Sequence, residues 1–525
     1  MKRYFVYFWG MGLCFAAMSG CGQTESLDNG VTEGETSSFA QVSGENGGSA
    51  EALTEDISEI EVMFWTLDTI PKDINEVEDA INAITVEKIQ TEVHLNILES
   101  GNYVQQLNLM LAGDETIDLL VTQPGGASHF NSMVSQNQLT DLTGLLVEYA
   151  PELLKTVPES WLEGTSVDGK IYAVPSLGDK ATPLGFACRK DIFEKTGFSV
   201  SQIKTAKDLE ALFEKVKTIE PEMTPLAAAR NSLTTPYLID TDGNFIKYDA
   251  LGDSGNALIG LMPQDNGQIK NNFEREEFIY TCELFKDWYD KGYLYKDSAN
   301  YADNVKTLVA SGNCFGFFGA FGVGAEVSES IICDNEMMII PLDDAPLLDT
   351  SVVRKFTWAV PSTSKEPEAA VRFLNLMYTD EAVLNLLCWG IEGVHYQGLD
   401  DGTIDFLDGE DNASCGYYIG DATAIIGNGF LAKVRRGQNP GMRKEAEEIN
   451  FNASVSKYNG FALNTSGLEN EVAALTNAVE EFRPSLICGL YTESYYSDFI
   501  KKLSEVGIEK YISEMQKQLD KWEEN

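Results

Sequence analysis

Basic residues are the first scarcity. The 525-residue chain carries 38 lysines and arginines against 82 aspartates and glutamates, a formal net charge of −44. Such a field repels phosphate backbones and anionic lipid surfaces, which excludes nucleic-acid binding as a function class. Histidine is scarcer still: His94, His129 and His395 are the only three. They form no HExxH, no His-x-His and no paired His/Cys spacing, so no zinc site is expected. GxSxG and the P-loop are absent, and Gly322-Val-Gly324 lacks the third glycine and the helix context of a dinucleotide fingerprint. His129, in GASHFN, has no serine or cysteine motif beside it and reads as a surface or satisfied histidine. Carboxylates are too numerous to single out a glycosidase pair. The expectation is therefore no catalytic residue, no cofactor and no metal.

Cysteine offers no framework either. Beyond Cys14 and Cys21 there are seven, at 188, 282, 314, 333, 388, 415 and 488, an odd number with no CxxC. Their apolar settings, such as GNCFGFFG and NLLCWG, suggest buried free thiols. Long apolar runs are missing as well. Residues 4–18 are the most apolar stretch, and they fall short of the roughly 20 needed to span a bilayer. With Lys2 and Arg3 ahead and Ser19-Gly20 behind, residues 1–20 read as a secretory signal. Met18-Ser-Gly-Cys21 resembles a bacterial lipobox. That resemblance implies that Cys21 becomes a lipid-bearing first residue, anchoring the protein to the outer face of the cell membrane. Residues 21–58 contain no lysine or arginine and are rich in Gly, Ser, Thr and Glu, the composition of a disordered acidic tether.

What remains is a chain long enough for two domains. EVMFWTLD reads as a strand. PKDINEVEDAINAITVEKIQ reads as a helix opened by Pro71, with Ile74, Val77, Ile81 and Ile84 on one face. EVHLNILES alternates, placing Val93, Leu95 and Ile97 on one side; NYVQQLNLMLAGDE is a helix closed by Gly113; IDLLVTQPGG is a strand entering a turn. Strand–helix–strand–helix–strand implies right-handed crossovers and a mostly parallel sheet, with ligands bound beyond the carboxyl ends of the strands. Further on, Asp168-Gly169 marks a hairpin, Thr205 caps an amphipathic helix, and GNCFGFFGAFGVG is a buried strand entering a glycine-rich loop. Asp240-Thr-Asp-Gly-Asn244 lacks the register and bidentate glutamate of a calcium loop and is better read as a hairpin turn. PEAAVRFLNLMYTDEAVLNLLCWG is a helical pair broken at Thr379-Asp380. The C-terminal GIEKYISEMQKQLDKWEEN has one apolar face.

Several of these stretches together resemble one family. DGKIYAVPSLGD, RKDIFEKTGF, TAKDLEALFEKVK, GFFGAF and AVPSTSKEPEAAVRFLNLMYTDEAV follow the order and spacing of extracellular solute-binding proteins of family 1, the group similar to maltose-binding protein. WGIEGVHYQ, NGFALNTSGLENEVAALTNAVEEF and MQKQLDKW resemble a Gram-positive lipoprotein subgroup with an extra C-terminal domain of unknown function. The resemblance covers about residues 59–525. It implies an α/β fold of two lobes, the type II periplasmic-binding-protein arrangement, each lobe a mixed, mostly parallel sheet flanked by helices. Lobe one would hold 59–180 and 350–395, and lobe two 181–349 and 396–525. It further implies a receptor that closes on a small solute, most naturally an oligosaccharide, and hands it to the permease subunits of an ABC importer.

Cleft residues are expected at strand ends and crossings. Trp65 and Asp68 end the first strand, Thr122 and Gln123 the third, and Asp179 follows the crossing hairpin. Phe321 stands in the loop where many sugar binders carry tryptophan, and is the leading stacking candidate. Trp389 and Glu392, in CWGIEGVHY, and Tyr103, opening a helix, complete the set. A peptide receptor, an exported glycosidase or esterase, and an adhesin are the alternatives. The missing nucleophile motifs weigh against the enzymes, and the lack of repeats against the adhesin.

Overall fold

The structure is a computed structural model describing residues 57–113, 115–123, 129–230, 238–252, 257–343, 347–420 and 422–524. The expected signal, Cys21, all but the end of the tether, and the 124–128 turn lie outside them. No helix among the described residues is long and apolar enough to cross a membrane.

Nine strands carry the two main sheets: β1 Ser58–Thr66, β2 Thr91–Glu99, β3 Leu119–Val121, β4 Val174–Pro175, β5 Leu184–Arg189, β6 Thr224–Leu226, β7 Cys314–Ala320, β8 Met337–Pro341 and β9 Thr357–Ala359. The first sheet runs β2-β1-β3-β9-β4, the second β8-β5-β7-β6. β1 pairs in parallel with both β2 and β3, while β9 enters antiparallel between β3 and β4. Sequence dictates this locally. Along β2, alternate residues Val93, Leu95 and Ile97 are buried, and its parallel partner β1 is connected through helix α1 Ile74–Ile89 with Val77 and Ile81 fully buried. α1 starts three residues after Pro71, with Asp73 at its N-cap, so the proline lies ahead of the helix rather than in its first turn. Helix α2 Ser100–Ala112 ends at Gly113. Thr205 and Asp208 form a reciprocal capping box on the Ala206–Ile219 helix. Asp380 breaks the helical pair by accepting from the amides of Ala382 and Val383. The Asp240 carboxylate is used up by its own turn, accepting from the amides of Asp242 and Asn244 and the amide group of Asn244. The seven described cysteines are buried.

Two apolar cores follow from the two sheets. One gathers buried residues from 60–181 and 348–446, the other from 186–342 and 458–519, with a smaller cluster around Phe317 and Phe321 beside the second. The sequence-based boundary for lobe two therefore needs correction. The stretch 396–446, expected in lobe two, packs on the core of lobe one. Leu67 donates its amide to Ile419 O, Lys72 and Asp73 donate theirs to Gly416 O, and the Trp358 indole donates to Ile425 O at 2.8 Å. Tyr396, Ile404, Tyr417 and Ile426 fill the same core. Strands of only two residues carry this region, so it has no periodicity from which its partner can be read.

Three segments cross between the lobes: 176–183, 342–356 and 450–458. The second and third pair with each other, Leu347–Leu348 against Ser454–Val455 in parallel. Buried Asn450 ties the third to the first, its Oδ1 accepting from the amides of Lys180 (2.8 Å) and Ala181 (2.6 Å). Arg354, 1% exposed, is fully spent on neutral acceptors: Gly164 O at 2.6 Å, Asn131 Oδ1 at 2.7 Å, Gly460 O at 3.0 Å and Ser166 O at 3.2 Å. Burial lowers its pKa to about 9.

Candidate functional site

The carboxyl ends of β1, β3 and β4 and the entry of antiparallel β9 lie along one edge of the first sheet. The register fixes this: Thr357 sits opposite Pro175, Trp358 opposite Val121 and Met63 opposite Leu120. Trp65, Thr122, Gln123 and Phe356 therefore share that edge. The Trp65 and Phe356 rings meet edge-on at 5.7 Å. Thr122 is closed off: its amide donates to Thr357 O, and its hydroxyl pairs with the Thr357 hydroxyl and accepts from the Thr357 amide. Trp65 and Gln123 are buried, yet among the described residues Trp65 Nε1 and Gln123 Nε2 have no hydrogen-bond partner. Two unpaired buried donors at one sheet edge are costly unless something else supplies acceptors.

Phe356 was not singled out from the sequence. It stands at φ +65°, a left-handed backbone rarely tolerated by a bulky side chain. Its carbonyl accepts from both the amide and the hydroxyl of Ser176, which binds the β9 entry to the first crossing. Lys355 Nζ lies 5.6 Å from its ring centre. The strain depends on two crossings meeting, so no local sequence signal announces it; strain of this kind concentrates at functional sites.

Asp179 lies on the first crossing and reaches the other lobe. Its Oδ1 accepts from Asn450 Nδ2 at 2.9 Å and its Oδ2 from the Val323 amide at 3.1 Å. Gly322 makes that approach possible, since a Cβ there would sit 1.7 Å from Asp179 Oδ2. Desolvation raises the Asp179 pKa despite these bonds. Next to it, Phe321 is 6% exposed, its ring lying over Gly185 and Gly319 and meeting Phe317 edge-on at 6.0 Å. A recess of about 310 Å³ lies between the Gly322–Val323–Gly324 loop and the 438–445 stretch of lobe one; Glu326, Gln438, Asn439 and Glu445 give it polar walls.

The other expected residues are placed elsewhere. Tyr103 is a core side chain: α2 buries it with Leu107 one turn on, and its hydroxyl donates to Val121 O at 2.7 Å. It presents no surface to a ligand, so its place in the expected site is corrected. Asp68 is half-buried on the loop after β1, accepting from the Thr69 amide and from Asn412. Trp389, 6% exposed with Nε1 unpartnered, ends the Glu381–Trp389 helix, and Glu392 is exposed just beyond it. His129 is half-buried; its Nδ1 accepts from the Asn131 amide, and burial together with Arg354 lowers its pKa to about 4.

Among the described residues one cluster has the spacing of a metal site: Asp73, Glu76 and His395. The histidine tautomer argues against it. His395 Nδ1 accepts from the Ile391 amide at 2.9 Å, so a neutral ring carries its proton on Nε2, which points at Asp73 Oδ2 3.6 Å away. A protonated nitrogen has no lone pair for a metal.

The pattern of the bacterial extracellular solute-binding proteins matches residues 79–389, more than half the chain. This chain belongs to that family. A second pattern, a domain of unknown function (DUF3502), matches residues 457–524, the part of the solute-binding protein that closes lobe two. A carbohydrate ABC transporter substrate-binding protein of Streptococcus pneumoniae is 22% identical over 473 residues, 88% of this chain and 91% of the relative. Among solved structures, the N-glycan transport solute binding protein NgtS of S. pneumoniae superposes with a TM-score of 0.74 at 20% identity, covering 89% of this chain and 99% of that one. NgtS is also solved in complex with Man1GlcNAc. An HMO-binding solute-binding protein of Bifidobacterium longum infantis gives 0.61 at 16% identity, covering 88% and 98%. At these identities the superpositions establish the two-lobed fold.

Proposed function

We propose that this solute-binding protein is the receptor of an ABC importer, that it captures an oligosaccharide between its lobes and delivers it to membrane permease subunits, and that it does so without turning it over. The observation that carries this reading is mechanical. Two separate cores are joined by three crossings, and a polar recess and the charge-assisted contact from the Val323 amide to Asp179 lie between them. Such lobes can hinge, and a solute bridging them shifts the pair towards closure. Glu326, Gln438, Asn439 and Glu445 supply acceptors and donors for sugar hydroxyls, while half-buried Phe356 offers aromatic surface at the end of the lobe-one sheet. The carbohydrate relatives support the choice of solute. Trp65, Gln123, Asp179 and Phe321 are the cleft residues in this proposal, and lipid on Cys21 holds the receptor at the cell surface.

A ligand bound only by the folded state raises the melting temperature. Thermal-shift screening of oligosaccharides, amino acids and peptides therefore tests the reading. Saturable stabilisation by an oligosaccharide is expected. Stabilisation confined to peptides would replace the sugar by a peptide, and steady turnover of a chromogenic glycoside would replace the receptor by an enzyme. Cys21→Ser should leave solute affinity intact and release the protein from the membrane.

A further inference from the structure

The edge of the lobe-one sheet is unbalanced between donors and acceptors. Several of its acceptors are engaged. The Phe356 carbonyl takes two hydrogen bonds from Ser176, the Thr122 hydroxyl accepts from the Thr357 amide, and both Asp179 oxygens are bonded to Asn450 and Val323. Its donors are left over. Trp65 Nε1 and Gln123 Nε2 are buried without partners among the described residues, on side chains 4% and 8% exposed. The Phe356 ring lies 5.7 Å from the Trp65 ring and 5.6 Å from the Lys355 ammonium. Lys355 is exposed, and the Lys180 ammonium caps its carbonyl at 2.5 Å. Among the described residues neither lysine has a carboxylate within ion-pair distance, in a chain with more than twice as many acids as bases.

A neutral sugar suits this edge poorly. Each hydroxyl donates as well as accepts, and of the Trp65, Gln123 and Lys355 side chains only the Gln123 carboxamide oxygen could take its proton. A carboxylate or sulfate ester only accepts, and it gains the charge of the ammonium besides. Resting on the receptor reading above, we propose that Trp65, Gln123 and Lys355, arranged around Phe356, form a subsite for the acidic group of an anionic oligosaccharide. The chain's negative field does not contradict this, because exposed charges farther than about 8 Å are screened at physiological ionic strength while the local ammonium is not. Burial and the facing Lys355 lower the pKa of Lys180, which is the condition an anion would relieve.

The test uses matched pairs on the full chain by calorimetry: 3′-sialyllactose against lactose, and a sulfated against an unsulfated glycosaminoglycan disaccharide. The acidic member of at least one pair should bind tenfold or more tightly than its neutral partner, and which pair responds tells carboxylate from sulfate. Lys355→Gln should remove that advantage without lowering the melting temperature, since the side chain is exposed. Trp65→Phe should weaken the acidic ligand more than the neutral partner of its pair, a difference that the core volume lost with the indole, which lowers the melting temperature alike for both, does not produce. Equal or tighter binding of the neutral sugars, or an advantage untouched by Lys355→Gln, overturns the acidic subsite and leaves the receptor reading standing. Failure of every saccharide here, together with failure of the wider saccharide screen, overturns both.

Discussion

Gly322→Ala is the most local perturbation of the contact between the lobes. Gly322 is not in the left-handed region, so alanine is compatible with its backbone. The added Cβ falls 1.7 Å from Asp179 Oδ2 and 2.7 Å from its Cγ, with the next atom, Oδ1, at 3.5 Å. The whole conflict is therefore with one carboxylate, and that carboxylate cannot swing away without leaving Asn450 Nδ2 at 2.9 Å. The Val323 amide bond to Asp179, 3.1 Å long, should be lost. A hydrogen bond to a charged acceptor contributes about 1.5–3 kcal/mol, and at 3.1 Å this one falls near the lower figure. Amide exchange reads such an opening directly, and about 1.4 kcal/mol corresponds to a tenfold change. Hydrogen–deuterium exchange of a peptide spanning 319–327 should show Val323 exchanging roughly tenfold faster in Gly322→Ala than in the parent. The decisive control is Asp179→Ala: in that background the clash has no partner, and Gly322→Ala should add nothing. Unchanged exchange in the single variant, or an equal effect in both backgrounds, refutes the reasoning.

Arg354→Met should destabilise the fold by about 3 kcal/mol or more in urea titration, because four acceptors lose a buried charged donor at once, and Arg354→Lys should recover only part of that. Asp249 and Asp349 face each other near the second and third crossings, 3% and 6% exposed, with Ser456 donating to Asp249. Burial and the Asp349 carboxylate raise the Asp249 pKa to about 6. The folded state therefore holds a proton that the unfolded chain has released between the ordinary carboxylate range and about pH 6, so stability should fall as pH rises through that window. Asp249→Asn should flatten that slope and raise the melting temperature at pH 7.5. Thr205→Ala removes one half of a capping box and should cost about 1 kcal/mol in the same titration, with the solute affinity unchanged.

Periodicity made the scaffold legible. The alternation of Val93, Leu95 and Ile97 and the helical spacing of Val77 and Ile81 are local consequences of which face is buried, and the structure buries those faces. Tyr103 was equally legible. Its i, i+4 relation to Leu107 marks the buried face of α2, and reading it by its nearness to a strand end gave the wrong side. The region 396–446 offered no such signal, since its contacts are backbone hydrogen bonds from turns to distant loops. At the candidate site, Trp65 and Gln123 were reachable because strand ends are placed by topology. Phe356 and Lys355 were not: what distinguishes them is a positive φ and a neighbouring crossing more than 170 residues away.

The way the crossings are fastened says what kind of motion the molecule supports. Their ties are polar and internal: Arg354 to four neutral acceptors, Asn450 to the Lys180 and Ala181 amides, the Thr350 hydroxyl to Tyr458 O and from the Gly460 amide, and the Lys180 ammonium to Lys355 O. The Asn450, Thr350 and Lys180 bonds join one crossing to another or to the backbone just beyond it, while Arg354 fastens the second crossing to Gly164, Ser166 and Asn131 of lobe one and to Gly460, so the three segments are fixed relative to each other and the lobes are left to swing about them. Sealing the lobes by a broad apolar interface instead would cost about 25 cal/mol for every Å² re-exposed on opening. On the open side, the charge-assisted bond from the Val323 amide to Asp179 is worth little more than 1.5 kcal/mol. Carrying a two-state equilibrium from 1:99 to 99:1 takes about 5.5 kcal/mol of differential binding, and a micromolar ligand brings about 8 kcal/mol in total. A solute of ordinary affinity that touches both lobes can therefore govern their arrangement, provided that most of its contacts exist only when the lobes are together. The recess walls come from both sides, Glu326 from lobe two and Gln438, Asn439 and Glu445 from lobe one, which is the condition this requires.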